Sequence, residues 1–193
     1  MARRALWLST LCAAGSLVLG FGGLGCIDSA NDSQELDVEQ ASKGHTEIHT
    51  EDSCDPVTFG ALCRAGFNGH TTRDQFTAEL DATHRVAAWE YGGGDIRVGL
   101  GQSFQVDNQG GEVHTFSIVA NFGGGRVPIL NEKSNNPVVA PECVAGANAA
   151  NVDIASAAGI TVTTGASGTI KTRGTFKVQC CIHPWMRATV QIQ

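Results

Sequence analysis

The sequence predicts an all-β domain, a β-sandwich or barrel, preceded by a short helical N-terminal extension. Three observations carry this. From Arg85 onward, short runs rich in β-branched and aromatic residues alternate with a period of two. Glycine turns ("GGG", "GQ", "QGG", "RG") separate those runs, and the one clear helical pattern lies before them.

Taken in order, residues 1–26 read as an export signal. "MARR" supplies a positive start and "ALWLSTLCAAGSLVLGFGGLG" an uncharged apolar run ending in small residues. A retained transmembrane helix is the alternative, because about 20 apolar residues just span a bilayer; the glycines and small-residue end favour cleavage. "GLGC", ending at Cys26, resembles a bacterial lipobox but has Gly23 where leucine is usual, so a lipoprotein and a simply secreted protein both stay open. Residues 27–55 are acidic, rich in Ser, Asn and Gln and almost free of aromatics, and read as a disordered tether. His45 and His49 are four apart, but a solvated tail gives them no helix on which to clasp a metal.

Residues 56–84 read as an extension with a short helix. In "TTRDQFTAELDATHR", Thr71 or Thr72 is the cap, Phe76 and Leu80 share a face, and His84 is a surface or packing residue. The β-domain then spans 85–193, with strands expected in "RVAAWEY", "DIRVGL", "SFQVDN", "EVHTFSIVANF", "ASGTIKT", "GTFKVQCC" and "RATVQIQ". Residues Val127 to Gly159 are weakly patterned and read as a long loop with one or two edge strands. "GLGQSF" is a β-turn and not a phosphate cradle, since no third glycine or helix follows.

Charge excludes one class of function. Nine of the nineteen acids lie between Asp28 and Asp55, and from Pro56 onward ten acids face ten bases. With no basic stripe, nucleic acid is not an expected partner.

The chemistry lies at the C-terminus. In "CCIHPWM", Cys180, His183 and Met186 are spaced C-x-x-H-x-x-M, so a strand end and one tight turn can aim a thiolate, an imidazole and a thioether at one point. His114 in "GEVHTF" offers a second imidazole from another strand; a solvent-facing strand histidine is its alternative reading. Two histidines, a cysteine and a weak axial methionine suit both Cu(I) and Cu(II) and form a type 1 copper set. Zinc is the competing metal, but it seldom takes a thioether, and structural zinc sites bring more cysteines. Of the two adjacent cysteines, Cys180 is the expected ligand. Strand alternation groups it with Phe176 and Val178 on the face expected to be buried, and groups Cys181 with Lys177 and Gln179 on the other.

"CCIHPWMRATV" with the upstream "GEVHTF" resembles the plastocyanin and amicyanin group of cupredoxins, over roughly Arg85 to Gln193. The resemblance implies a Greek-key β-sandwich or barrel and one type 1 copper per chain, held by His114, Cys180, His183 and Met186. It implies a one-electron carrier with redox protein partners docking at a surface-exposed His183; together with the export signal, the expectation is a monomer that is periplasmic, membrane-anchored through Cys26 or secreted. Family members often have Asn after the first histidine. Thr115 stands there, which leaves room for the family's backbone N–H bond to the copper sulfur but puts side-chain stitching between the ligand loops in question. Trp185 reads equally as part of the partner patch or as a core cap.

Multicopper oxidases and copper nitrite reductases commonly carry a histidine beside the copper cysteine; Gln179 and Cys181 flank it here, so no enzyme is expected. The alternatives are a copper storage or delivery protein and an interaction module that retains the ligands. Of the remaining cysteines, Cys54, Cys63, Cys143 and Cys181 suggest two disulfides in an exported domain. Three pairings exist; the favoured one joins Cys54 to Cys63 across a short loop and Cys143 to Cys181 across the long one.

Overall fold

In the computed structural model, which describes residues 47–93, 96–144 and 151–193, the chain is built on strands. The elements are β1 (Glu47–Glu51), α1 (Pro56–Phe59), α2 (Arg73–Thr83), β2 (Glu90–Gly92), β3 (Ile96–Val98), β4 (Ser103–Asn108), β5 (His114–Val119), α3 (Pro128–Lys133), β6 (Asn151–Ile154), β7 (Gly159–Thr163), β8 (Gly174–Gln179) and β9 (Arg187–Ile192). Among the described residues they form two sheets, ordered β2-β1-β4-β7 and β3-β9-β8-β5-β6. Pairing is antiparallel except for β1 with β4 and β3 with β9. Residues 1–46, with the export signal, Cys26, His45 and most of the tether, lie outside the described residues.

The two sheets face one another across one core. Ile48, Phe104, Val106 and Val162 of the first sheet meet Ile96, Val98, Phe116, Ile154, Val178, Val190 and Ile192 of the second. The rings of Phe104 and Phe116 touch edge to face across it, with centroids 5.9 Å apart. Of the two architectures the sequence allows, this is the sandwich; the sheets do not close into a barrel.

The first sheet begins earlier than the sequence pattern indicates. Glu47–Glu51, within the segment read as tether, is β1, and it lies between β2 and β4. Ile48 and Thr50 alternate inward and are fully buried while their acidic neighbours point away. Burying an isoleucine contributes about 1.5–3 kcal/mol, enough to hold an otherwise polar pentapeptide that composition alone assigns to solvent.

The extension forms as expected and covers one end of the sandwich. The Asp55 carboxylate accepts from Val57 N at 3.0 Å with Pro56 in the first position of α1. Thr72 caps α2: its hydroxyl accepts from Gln75 N at 3.3 Å, and Gln75 Oε1 accepts from Thr72 N at 2.8 Å. Phe76 and Leu80 are buried beneath α2. His84 ends the helix in the left-handed region at φ 60°, with Nδ1 2.8 Å from Lys133 O.

Two strand expectations change. "RVAAWEY" contributes only its end, as β2, and "ASGTIKT" contributes only the single bridge of Ile170 to Thr164, because Gly165 and Gly168 close a turn there, Gly168 N donating to Gly165 O at 3.0 Å. The stretch from Val127 to Gly159 carries α3, a 3₁₀ turn at Pro141–Cys143, and β6 on the edge of the second sheet; β7 begins at its end.

The expectation that only one face of β8 is buried is corrected. Gln179 and Cys181 are as completely buried as Val178 and Cys180. The excursion from Ala120 to Val144 folds over the second face, where Val119, Ala140, Cys143 and Cys181 form a core of their own. There the Gln179 amide accepts from Gly123 N at 3.0 Å and donates to Gly123 O at 3.3 Å. A polar side chain that satisfies loop backbone in this way is buried without loss, and its polarity mimics a solvent face in the sequence.

Candidate metal centre

Register brings the ends that carry the expected ligands together. Ser117 of β5 lies opposite Gln179 of β8, which sets His114 at the start of β5 beside Cys180 just past the end of β8. The loop then closes on itself: Met186 N donates to His183 O at 2.9 Å and Cys180 N to Met186 O at 3.0 Å. Arg187 Nε adds a bond to Pro184 O at 2.9 Å.

His114, Cys180 and His183 each offer a ligand atom, and these three lie within 4.8 Å of one another. Nδ1 of each imidazole is 3.9 Å from Cys180 Sγ. His114 and Cys180 are fully buried, and Met186 belongs to the same buried cluster as Cys180. Cys181 is elsewhere, in a disulfide with Cys143; a second disulfide joins Cys54 and Cys63. Both match the favoured pairing, and Cys180 is the free thiol among the described cysteines.

Backbone amides converge on the sulfur. Thr115 N and Ile182 N each donate to Cys180 Sγ at 3.4 Å. The stitching put in question by Thr115 is also present, since its hydroxyl accepts from Cys181 N at 2.7 Å and bonds Ser117 Oγ at 2.9 Å. The threonine thus ties the two ligand-bearing segments by main-chain and side-chain bonds together.

Electrostatics favour a thiolate. Burial raises the Cys180 pKa, but hydrogen bonds and positive charge from His114 and His183 outweigh it and hold the thiol well below its ordinary range. Burial lowers the His183 pKa, and Cys180 and Glu112 overcome it to bring the imidazole to about 9. His114 is shifted upward in the same sense, burial opposing and Asp52 and Cys180 prevailing.

The exposed His183 that the resemblance implies is not what the structure contains. Its ring is 3% exposed. Centroids of Trp185, Trp89 and Phe76 lie 5.4, 6.4 and 6.5 Å from it, so the extension and the β2 approach roof over the loop. Trp185 is a cap, half-buried against Phe76 and His183. Above them a cleft of about 340 Å³ is lined by Phe59, Leu62, Phe76 and Leu130 and reaches Glu112 and His183.

Sequence reasoning misses two carboxylates. Asp52 Oδ2 lies 2.9 Å from His114 Nε2, and Glu112 Oε2 lies 3.3 Å from His183 Nε2. Glu112 carries a faint signal, two residues before His114 in one strand-like run; Asp52 carries none, being one acid among many in the supposed tether. His49 stands on β1 and not on a helix, with Nδ1 2.7 Å from Gln109 Nε2.

A strand histidine and a C-x-x-H-x-x-M loop meet at one end of the two-sheet sandwich, as the sequence resemblance implies. No family model matches the sequence, and no curated protein does. Among solved structures, the chain is similar to a purple cupredoxin from Nitrosopumilus maritimus at 11% identity, covering 77% of this chain and 99% of that one with a TM-score of 0.40. It is similar to the oxidised plastocyanin of Dryopteris crassirhizoma at 11% identity, over 76% and 99% of the two chains with a TM-score of 0.38. A reduced Cu(I) form of an amicyanin variant matches at 16% identity, over 56% and 78%, with a TM-score of 0.35.

Proposed function

We propose that this chain is an extracytoplasmic type 1 copper protein that carries single electrons between redox partners. The observation that carries the reading is the convergence of two imidazole Nδ1 atoms on one buried thiolate. The donor set fits the metal: soft sulfur with two borderline nitrogens, supplemented by Met186 from the same buried cluster. His114, Cys180 and His183 would hold one copper, and Met186 would add a weak thioether donor. Bound copper supplies a one-electron couple. The protein's part is to fix the imidazoles, to hold the thiolate with the N–H groups of Thr115 and Ile182, and to keep water away with Trp89, Phe76 and Trp185.

Redox partners reach this site over the apolar cleft beside His183. The two disulfides support a location outside the cytoplasm, where such bonds persist. Among the described residues no helix is long and apolar enough to cross a membrane. The burial of His183 favours a second reading, copper storage or delivery without a redox partner, and a measured self-exchange rate separates the two.

The direct test is the visible spectrum of the purified chain with Cu(II). An intense thiolate-to-copper absorption that depends on His114, Cys180 and His183 is expected, and a colourless wild-type complex overturns the reading. Met186→Leu keeps the colour and raises the reduction potential, because a weak donor to Cu(II) is lost.

Copper loading also releases protons. His183 keeps its proton up to about pH 9 in the metal-free site, and a ligating Nδ1 must give it up. The Cys180 thiol is held well below its ordinary range and contributes less to this release than a free cysteine would, while His114, shifted upward, adds to it in the same sense as His183. Apparent affinity therefore rises with pH up to about 9, by roughly tenfold per unit for the His183 proton alone. Calorimetry in buffers of different ionisation heat measures the released protons; zero release at neutral pH contradicts the assignment of His183 as a ligand.

A further inference from the structure

Both imidazoles are gripped from behind by buried carboxylates. Asp52 Oδ2 takes His114 Nε2 at 2.9 Å and Glu112 Oε2 faces His183 Nε2 at 3.3 Å, which leaves each Nδ1 turned toward Cys180. The two acids are held in turn. Asp52 accepts from Cys54 N at 3.0 Å through Oδ1 and from Glu112 N at 2.9 Å through Oδ2, while Glu112 Oε2 accepts from Trp89 Nε1 at 2.6 Å. The backbone between them has no slack, since a Cβ on Gly111 would fall 2.4 Å from Cys54 Sγ and 2.5 Å from a Phe67 ring carbon. A single network therefore runs from the disulfide-tied extension through Asp52 and Glu112 to both histidines.

We propose that Asp52 and Glu112 are positioning residues of the copper centre, locking both imidazoles with Nδ1 toward Cys180 and stabilising Cu(II) over Cu(I) through their negative charge. This rests on the copper reading above. The physical reason is twofold. An imidazole whose Nε2–H is bound to a carboxylate is fixed in tautomer and ring orientation and is a stronger donor than one facing a neutral acceptor. Two buried anions behind the imidazoles also interact more favourably with a doubly charged cation than with a singly charged one, and little water intervenes to screen them, Asp52 and Glu112 being 9% and 8% exposed. The same residues explain why an acidic segment remote in sequence folds onto this end of the sandwich: Asp52 follows β1 directly and reaches His114 from there.

The test uses the whole mature chain, loaded with copper, as wild type, Glu112→Gln and Asp52→Asn. Each substitution keeps the side-chain shape and removes one charge; Glu112→Gln can keep an oxygen where Oε2 accepts, whereas Asp52→Asn turns one of two accepting oxygens into a donor. Cu(II) affinity is expected to fall about tenfold in each variant while Cu(I) affinity stays within about twofold, so the reduction potential rises by about 59 mV. In the Cu(I) form, nitrogen NMR should show the His183 Nε2–H of wild type slow to exchange with solvent, and that of Glu112→Gln faster and shifted. Glu112→Asp, which restores charge on a shorter arm, should return the potential part of the way. Unchanged potentials and unchanged Nε2–H exchange in a blue wild-type and variant series overturn this proposal and leave the copper reading standing; a wild type that takes up no copper overturns both. If Asp52→Asn fails to fold, because Asp52 also satisfies Cys54 N and Glu112 N, the Glu112 pair of variants decides alone.

Discussion

Cys180→Ser is expected to abolish the intense visible absorption proposed for the Cu(II) protein, whereas the double variant Cys143→Ser/Cys181→Ser is expected to retain it. The two cysteines are adjacent, yet their sulfurs stand in different surroundings. Cys180 Sγ has both imidazole Nδ1 atoms at 3.9 Å and two amide donors at 3.4 Å, and Cys181 is bonded to Cys143 on the far side of β8. Serine at 180 removes the only soft anion in the set, so the charge-transfer band has no source and metal affinity collapses. Losing the disulfide acts on stability instead. It closes a separation of 38 residues, for which the chain-entropy argument gives about 3–4 kcal/mol. Absorption spectra and denaturant titrations of the two variants distinguish colour from stability. A blue Cys180→Ser protein, or a colourless double variant that is still folded, shows the assignment to be reversed.

Ile48→Ala destabilises the fold by about 2–5 kcal/mol, the range for truncating a buried aliphatic side chain in a packed core. Ile48 is fully buried in the cluster formed between the sheets, on a strand hydrogen-bonded on both sides by β2 and β4. Were this segment a solvated tether, the same change would stay within about 0.5 kcal/mol. Urea titration measures the difference. Because Asp52 follows the strand immediately, the variant should also lose copper more readily, His114 being deprived of a firmly placed partner.

Local pattern made the ligand loop legible. The spacing of Cys180, His183 and Met186 is set within seven residues, and only a few backbone conformations connect them, so the sequence alone indicates that they can meet. Period-two alternation likewise identifies most of the strands of the second sheet, and Thr72, Gln75, Phe76 and Leu80 announce α2 because caps and i, i+4 pairs are local. Alternation also puts Cys180 and Cys181 on opposite sides of β8, where the structure has them, since parity along a strand does not depend on what covers each face.

Tertiary structure decided everything that depends on what covers what. Composition assigns β1 to solvent because seven of the nine residues from Glu47 to Asp55, all but Ile48 and Cys54, are polar or charged, and no local average reveals that Ile48 fits a slot between two other strands. The polar face of β8 is buried because a loop from elsewhere supplies bonding partners for Gln179. His183 is roofed by Trp89 and Phe76, distant in sequence, and backed by Glu112; Asp52 reaches His114 across 62 positions. Sequence fixes which chemical groups are available and which can meet through a short turn. Burial, and with it the charge and access of the site, comes from contacts between segments far apart in the chain, whose free energy of meeting is a property of the whole fold.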